Sequence, residues 1–201
     1  MLRSMHGLLL GCVVIAGPAL ADSPAAPQAA SKAAPEAAVH AASPAANSAA
    51  LPAGCDTFSW NVSAELALFA QPGTAIAAGA DAKQAPTVQV GHLYAVGLVE
   101  QAKVNFAHTP GKTRLADGAH GGLLAIRLTA AGKYRVTIDK PSWVDVTDTG
   151  ALVNSNQFQG RPTCPLIHKS VEYTLPAGKL LLIQLSGETS QTVRLAVTPV
   201  P

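Results

Sequence analysis

Three cysteines and six histidines are the residues of this 201-residue sequence best suited to redox or metal chemistry. Cys55 and Cys164 stand 109 positions apart, with no Cys-x-x-Cys pair and no cysteine–histidine spacing beside either, so local sequence offers no tetrahedral thiolate site. Joined, they would close a loop of about 100 residues and contribute up to roughly 4.7 kcal/mol of chain entropy. Left apart, they are two thiols, one of them buried. His92, His108 and His120 are the candidate metal ligands, with Glu100 or Asp117 as the acid of a noncontiguous two-histidine, one-carboxylate site. The contiguous His-x-Asp/Glu form fails, because two residues after His92, His108, His120 and His168 stand Tyr94, Pro110, Gly122 and Ser170. Against any metal site stands the ordinary role of histidines at strand ends and in loops, where they are solvated or hydrogen-bonded. No nucleophile elbow, phosphate loop or His-Glu-x-x-His helix is present, so neither a catalytic residue nor a cofactor is assigned.

Recognition chemistry concentrates between Asn154 and Lys169. Asn156, Gln157, Gln159 and Arg161 carry amides and a guanidinium suited to hydroxyls and peptide carbonyls, and Phe158 is able to stack on a sugar ring or fill a partner's pocket. The competing reading is a polar crossover with Phe158 tucked beneath it. Trp60 and Trp143 fall within apolar alternations and are read as core. Asp117-Gly118-Ala119-His120-Gly121-Gly122 is read as a flexible turn into a strand at Leu123.

The compartment decides how the cysteines behave. Arg3, an apolar run from Gly7 to Ile15 and the small residues of Pro18-Ala19-Leu20-Ala21 form a signal peptide over residues 1–21, with Asp22 the expected new N-terminus. Leu9-Leu10-Gly11-Cys12 resembles a lipoprotein box, yet few apolar residues precede it and the run continues beyond it. Export places Cys55 and Cys164 in an oxidising space, periplasmic or extracellular, which favours their pairing. One of the 14 basic residues, Arg3, lies in the signal, leaving the remainder close to neutral against 12 acidic residues. Scattered single charges give no footprint for nucleic acid, and no later apolar run reaches the roughly 20 residues of a membrane helix.

Residues 22–54 are dominated by Ala, Pro and Ser, with Val39 and Leu51 the larger apolar side chains and five prolines interrupting every potential helix. The segment predicts a disordered linker. From 55 to 201 the pattern is alternation. Strands are predicted at Phe58–Val62, Thr87–Val90, Leu93–Leu98, Lys103–Ala107, Leu123–Thr129, Lys133–Ile138, Trp143–Val146, Val171–Leu175, Lys179–Leu185 and Thr192–Thr198. Gly132 and Gly178 would supply the positive φ of two hairpin turns, Leu180–Ile183 would lie centrally, and no helical period is apparent. Nine or ten strands and no helix define an all-β sandwich or barrel, with Cys164 pinning the polar loop to the first strand.

Ala-Gly-Lys-Tyr-Arg-Val from Ala131, Trp143-Val144-Asp145-Val146, the cysteine loop, Leu-Pro-Ala-Gly-Lys from Leu175 and Val193-Arg194-Leu195-Ala196-Val197 resemble the jelly-roll sandwich of bacterial pre-peptidase C-terminal-type domains. That resemblance implies a jelly-roll fold. It departs from the family in lacking an attached peptidase and an Asp-rich run after Val146. More broadly, Cys55–Pro201 resembles small secreted proteobacterial proteins of unassigned role, some labelled homogentisate dioxygenase. The label implies non-haem iron held by two histidines and a glutamate six residues after one of them. Leu98, Arg114, Ile126 and Thr174 occupy that position after His92, His108, His120 and His168, so this ligand set is missing. The sequence therefore leads to a secreted or periplasmic non-catalytic β-sandwich binding an envelope partner or glycan. The alternative is a metal-dependent, dioxygenase-like enzyme built on the scattered histidines.

Overall fold

A computed structural model describes residues 52–112 and 118–200; the signal segment, linker residues 22–51 and Asp117 lie outside the described residues. The described chain runs through α1 (Ser63–Phe69), β1 (Thr74–Ala77), β2 (Thr87–Val88), β3 (Leu93–Gly97), β4 (Val99–Glu100), β5 (His120–Arg127), β6 (Gly132–Ile138), β7 (Trp143–Asp148), β8 (Ala151–Val153), β9 (Ser155–Gly160), β10 (Lys169–Leu175), β11 (Leu180–Glu188) and β12 (Thr192–Pro199). Two mixed sheets result. The first has the order β1-β3-β12-β6-β10-β9, the second β2-β5-β11-β7-β8, with β4 beside β5. Val136, Ile138, Leu195 and Val197 from one sheet and Leu124, Ile126, Ile183 and Leu185 from the other join in one buried cluster, so the described residues form a β-sandwich, with α1 the one helix longer than a 3-10 turn among them. β11 lies centrally in its sheet, as its doubly apolar sequence predicts.

A second apolar layer covers the outer face of the first sheet. Val62, Leu66 and Phe69 of the α1 region pack with Leu93, Ala196, Ile167 and the Cys55–Cys164 disulfide. Seven residues are too few for a helix to hold alone. Asn61 Oδ1 accepts from Ser63 N at 3.1 Å at its start, Glu65 accepts from Thr198 Oγ1 at 2.8 Å, and Arg194 donates to Phe69 O at 2.8 Å. Pro72 and Gly73 prevent its continuation.

Several sequence readings change here. The Phe58–Val62 alternation is not a strand: it is irregular, bending at Ser59 and Trp60, with Trp60 lying under the Arg135 guanidinium at 4.6 Å, and a helix follows. Lys103–Ala107 is also not a strand, because a 3-10 turn over Gln101–Lys103 ends β4 and extended coil follows. Cys164 is therefore joined to the segment before α1, not to a first strand. Gly118 sits in a turn with φ +71°, but Gly121 and Gly122 belong to β5, which begins at His120; a Cβ on Gly121 would meet Leu185 O at 2.6 Å, and one on Gly122 would meet Ala78 Cβ at 2.4 Å. They permit close packing rather than turning.

The two expected hairpins are corners between sheets. β5 and β6 lie in different sheets, as do β10 and β11. Gly178 takes φ +76°, whereas Gly132 is not in the left-handed region. The corners meet each other through Gly178 N donating to Leu128 O at 2.9 Å. A true hairpin joins β7 to β8, where Asp148 pairs with Ala151 across Thr149 (φ +50°) and Gly150 (φ +85°). Both φ values are those of a type I′ turn, for which a β-branched first residue is poorly suited. Thr149→Asn is expected to stabilise the domain by roughly 1 kcal/mol in denaturant unfolding, and a loss of stability would refute that turn geometry. Cys55 and Cys164 are expected to resist thiol labelling, in the native or the denaturant-unfolded protein, until reductant is added. Replacing both with Ser should cost about 3–4 kcal/mol by the same assay.

Candidate binding groove

β8 and β9 are the outermost strands of their sheets on one side of the sandwich, and a single residue, Asn154, carries the chain between them. Between these edges runs a groove of about 420 Å³, within the range of small-ligand sites. Leu152 and Trp143 contribute from the second sheet; Phe158, Lys169, Val171 and Tyr173 contribute from the first. Lys169, Val171 and Tyr173 alternate along β10 and so share one face, with Val171 and Tyr173 closing the base and Lys169 at the mouth. Phe158 pairs with Val171 across the strands and remains 68 % exposed. That exposure overturns the reading of Phe158 as tucked beneath a crossover. Trp143 is 36 % exposed and is not core. Its position in Trp143-Val144-Asp145-Val146 shares the phase of Asp145, opposite the two buried valines, and that signal was available in the sequence.

Polar contacts fix the groove wall. Trp143 Nε1 donates to Asp145 Oδ1 at 2.9 Å, and Gly111 N donates to Asp145 Oδ2 at 2.9 Å, which brings the neighbouring Lys112 to the same wall. Lys169 Nζ lies 5.4 Å from the Trp143 ring centroid, and Lys112 Nζ lies 6.0 Å from it. Tyr173 OH donates to Val144 O at 3.0 Å, tying the two sheets together under the groove. Burial, with Asp145 adding to it, raises the Tyr173 phenol above its ordinary range. Burial also pushes the Lys169 ammonium down to about 8; Lys112 adds to that effect and Asp145 opposes it. His168 is lowered by burial and by Lys169, with Glu188 and Asp139 acting in the opposite sense.

The residues singled out from the sequence divide. Phe158 lines the groove. Asn156 Nδ2 donates to Glu172 Oε1 at 3.3 Å and to Thr174 Oγ1 at 3.0 Å, while Gln157 Nε2 donates to Glu172 Oε2 at 3.5 Å. Gln159 is buried and accepts from Ser59 N at 3.0 Å; Arg161 Nε donates to Thr57 O at 2.8 Å and its guanidinium lies 5.3 Å from the Phe58 ring centroid. These last two side chains hold the Cys55–Trp60 segment. Lys112 and Asp145 escaped sequence reasoning because nothing local ties them to Phe158: Asp145 stands on β7 of the facing sheet, and Lys112 arrives through the bond from Gly111 N to Asp145.

The histidines do not gather. His92 is exposed, with Nδ1 3.2 Å from Val90 O; His108 N donates to Gln184 Oε1 at 3.0 Å; His120 pairs on β5 with Glu100 and Glu188. Among the described residues no group of three or more His, Cys, Asp or Glu side chains is arranged to hold a metal ion. A second depression, of about 520 Å³, lies beside α1 between Ala67, Leu68 and Pro199, but it has no charged side chain to orient a ligand. Among the described residues no helix is long and apolar enough to cross a membrane. Comparisons with protein-family models, with curated proteins and with solved structures give no match to this chain.

The Lys169 environment is testable by titration of the side-chain amine by NMR. A midpoint near 8 is expected, moving down in Asp145→Asn and up in Lys112→Met. A midpoint at the ordinary value near 10.4 would show that the ammonium is solvated and the groove mouth open.

Proposed function

We propose that this chain is a secreted or periplasmic non-catalytic β-sandwich module that binds an envelope partner or glycan, and that the groove between β8 and β9 is its binding surface. The observation that carries this reading is the 68 % exposure of Phe158 on the rim of a concave, largely pre-formed site that also contains Trp143. A large ring held in water by a rigid strand is available to a ligand at little ordering cost. The disulfide supports an oxidising compartment. We further read the sandwich as jelly-roll type, since β5, β6 and β7 alternate between the sheets and β10, β11 and β12 do so again.

Phe158→Ala is expected to leave stability within about 0.5 kcal/mol while weakening retention on envelope material, peptidoglycan and capsular polysaccharide included. Arg161→Ala is expected to do the reverse, costing about 1–2 kcal/mol through its lost hydrogen bonds to the Cys55–Trp60 segment. Thermal unfolding beside a sedimentation binding assay separates the two. A Phe158→Ala protein that unfolds readily, or that binds as well as the parent, would remove the groove from consideration.

A further inference from the structure

We infer that the groove takes an acidic saccharide, one whose sugar ring stacks on Phe158 and whose carboxylate is received by Lys112 and Lys169. The inference rests on the groove being the binding surface and adds the class of ligand.

Three observations carry it. First, the fixed charge of the groove is unbalanced. Lys112 and Lys169 both line it, and among the described residues neither forms a salt bridge. Among the described residues the one carboxylate on the wall, Asp145, has an oxygen engaged by Trp143 and the other by the backbone of Gly111. Second, Lys169 is held in place. Its Nζ donates to Ser142 O, which engages one of its three N–H groups and leaves the others for a ligand. A cation both positioned and partly desolvated is a stronger receptor for an anion than a solvated one, because the anion restores the charge compensation that burial removed. Third, the spacing suits one sugar unit. Phe158 pairs with Val171, two residues along β10 from Lys169, so the ring and the ammonium belong to strand positions on a diagonal, about 7–8 Å between Cα atoms. Trp143 already carries both ammonium groups near its ring, which leaves Phe158 as the free stacking surface. An anionic nucleic acid is disfavoured by the near-neutral chain and the absence of a basic stripe.

The experiment compares oligogalacturonate, oligomannuronate and the methyl ester of oligogalacturonate, which keeps rings and length but loses the charge, by calorimetry at neutral pH and low salt. At least one uronate is expected to bind, and at least tenfold more tightly than the ester. Lys112→Met, at an exposed position, and Lys169→Met should each reduce that preference, while Lys169→Arg keeps it; Phe158→Ala should weaken acid and ester alike. Near-ultraviolet circular dichroism matching the parent certifies each fold. Equal affinity for acid and ester, with both lost in Phe158→Ala, would overturn the acidic preference and leave the groove as a glycan site. Uronate binding that ignores both Phe158 and the lysines would overturn the groove itself. Failure of both uronates to bind at millimolar concentration, or equal capture of polyglutamate through the same lysines, would overturn the saccharide assignment.

Discussion

Arg135 is the buried cation on which the outer layer of this domain is assembled. It rises from β6 on the face of the first sheet away from the main core, where its NH1 donates to Asn61 O at 2.8 Å and approaches Glu65 at 3.4 Å, with Glu172 at 4.0 Å from Nε and the Trp60 ring stacked on its plane. Arg135, Glu65 and Glu172 are all nearly inaccessible to water. Removing Arg135 would strip two buried carboxylates of the cation they share, a change worth about 3–5 kcal/mol in comparable interiors. The gain is orientation. An apolar helix of two turns could slide over a flat sheet, but one whose Glu65 must meet both Arg135 and Thr198 has a single seat.

The groove lies on the opposite face of the same sheet, lined there by Phe158, Lys169 and Val171. On the outer face the α1 seat adjoins the β10–β9 edge. Glu172 belongs to both regions, reaching Arg135 and Lys133 on one side and the amides of Asn156 and Gln157 on the other. β9 is thereby fastened to β10 through side chains as well as backbone, and Phe158 on its opposite face stands on a rigid strand. The concavity between sheets at this edge comes from their divergence, bridged at its base by Tyr173 bonding to Val144 O.

Much of the sandwich was legible because burial on one face imposes a period of two. β2, β3, β5, β6, β7, β10, β11 and β12 were all visible as alternating or doubly apolar runs. The short edge strands β1, β4, β8 and β9 were not, since an edge strand with solvent on one flank needs no apolar pattern; Ser-Asn-Gln-Phe-Gln-Gly reads as a loop. The helix was missed for the opposite reason, that its seven residues show too little periodicity. The corners at Ala131 and Ala177 looked like hairpins because a tight turn between adjacent strands and a tight turn between facing sheets use the same residue types. Of the site, Phe158 and the surrounding amides were found, but the amides turned out to be engaged within the fold. Trp143, Asp145, Lys112 and Lys169 became a group only when β7 and β10 were placed on facing sheets.

The bridge between Cys55 and Cys164 also has a mechanical consequence. A pull on the residues before Pro52 reaches the folded domain at Cys55 and passes directly through the sulfurs to Cys164, four residues from His168 at the groove. The 108 residues between the cysteines lie outside this load path. A ligand held at β10, as proposed, would thus be connected to the N-terminal side of the chain by a short covalent route. Tension along that route would fall first on such a ligand and the β10 end of its sheet, while the ladders of β5, β11 and β7 would carry little of it.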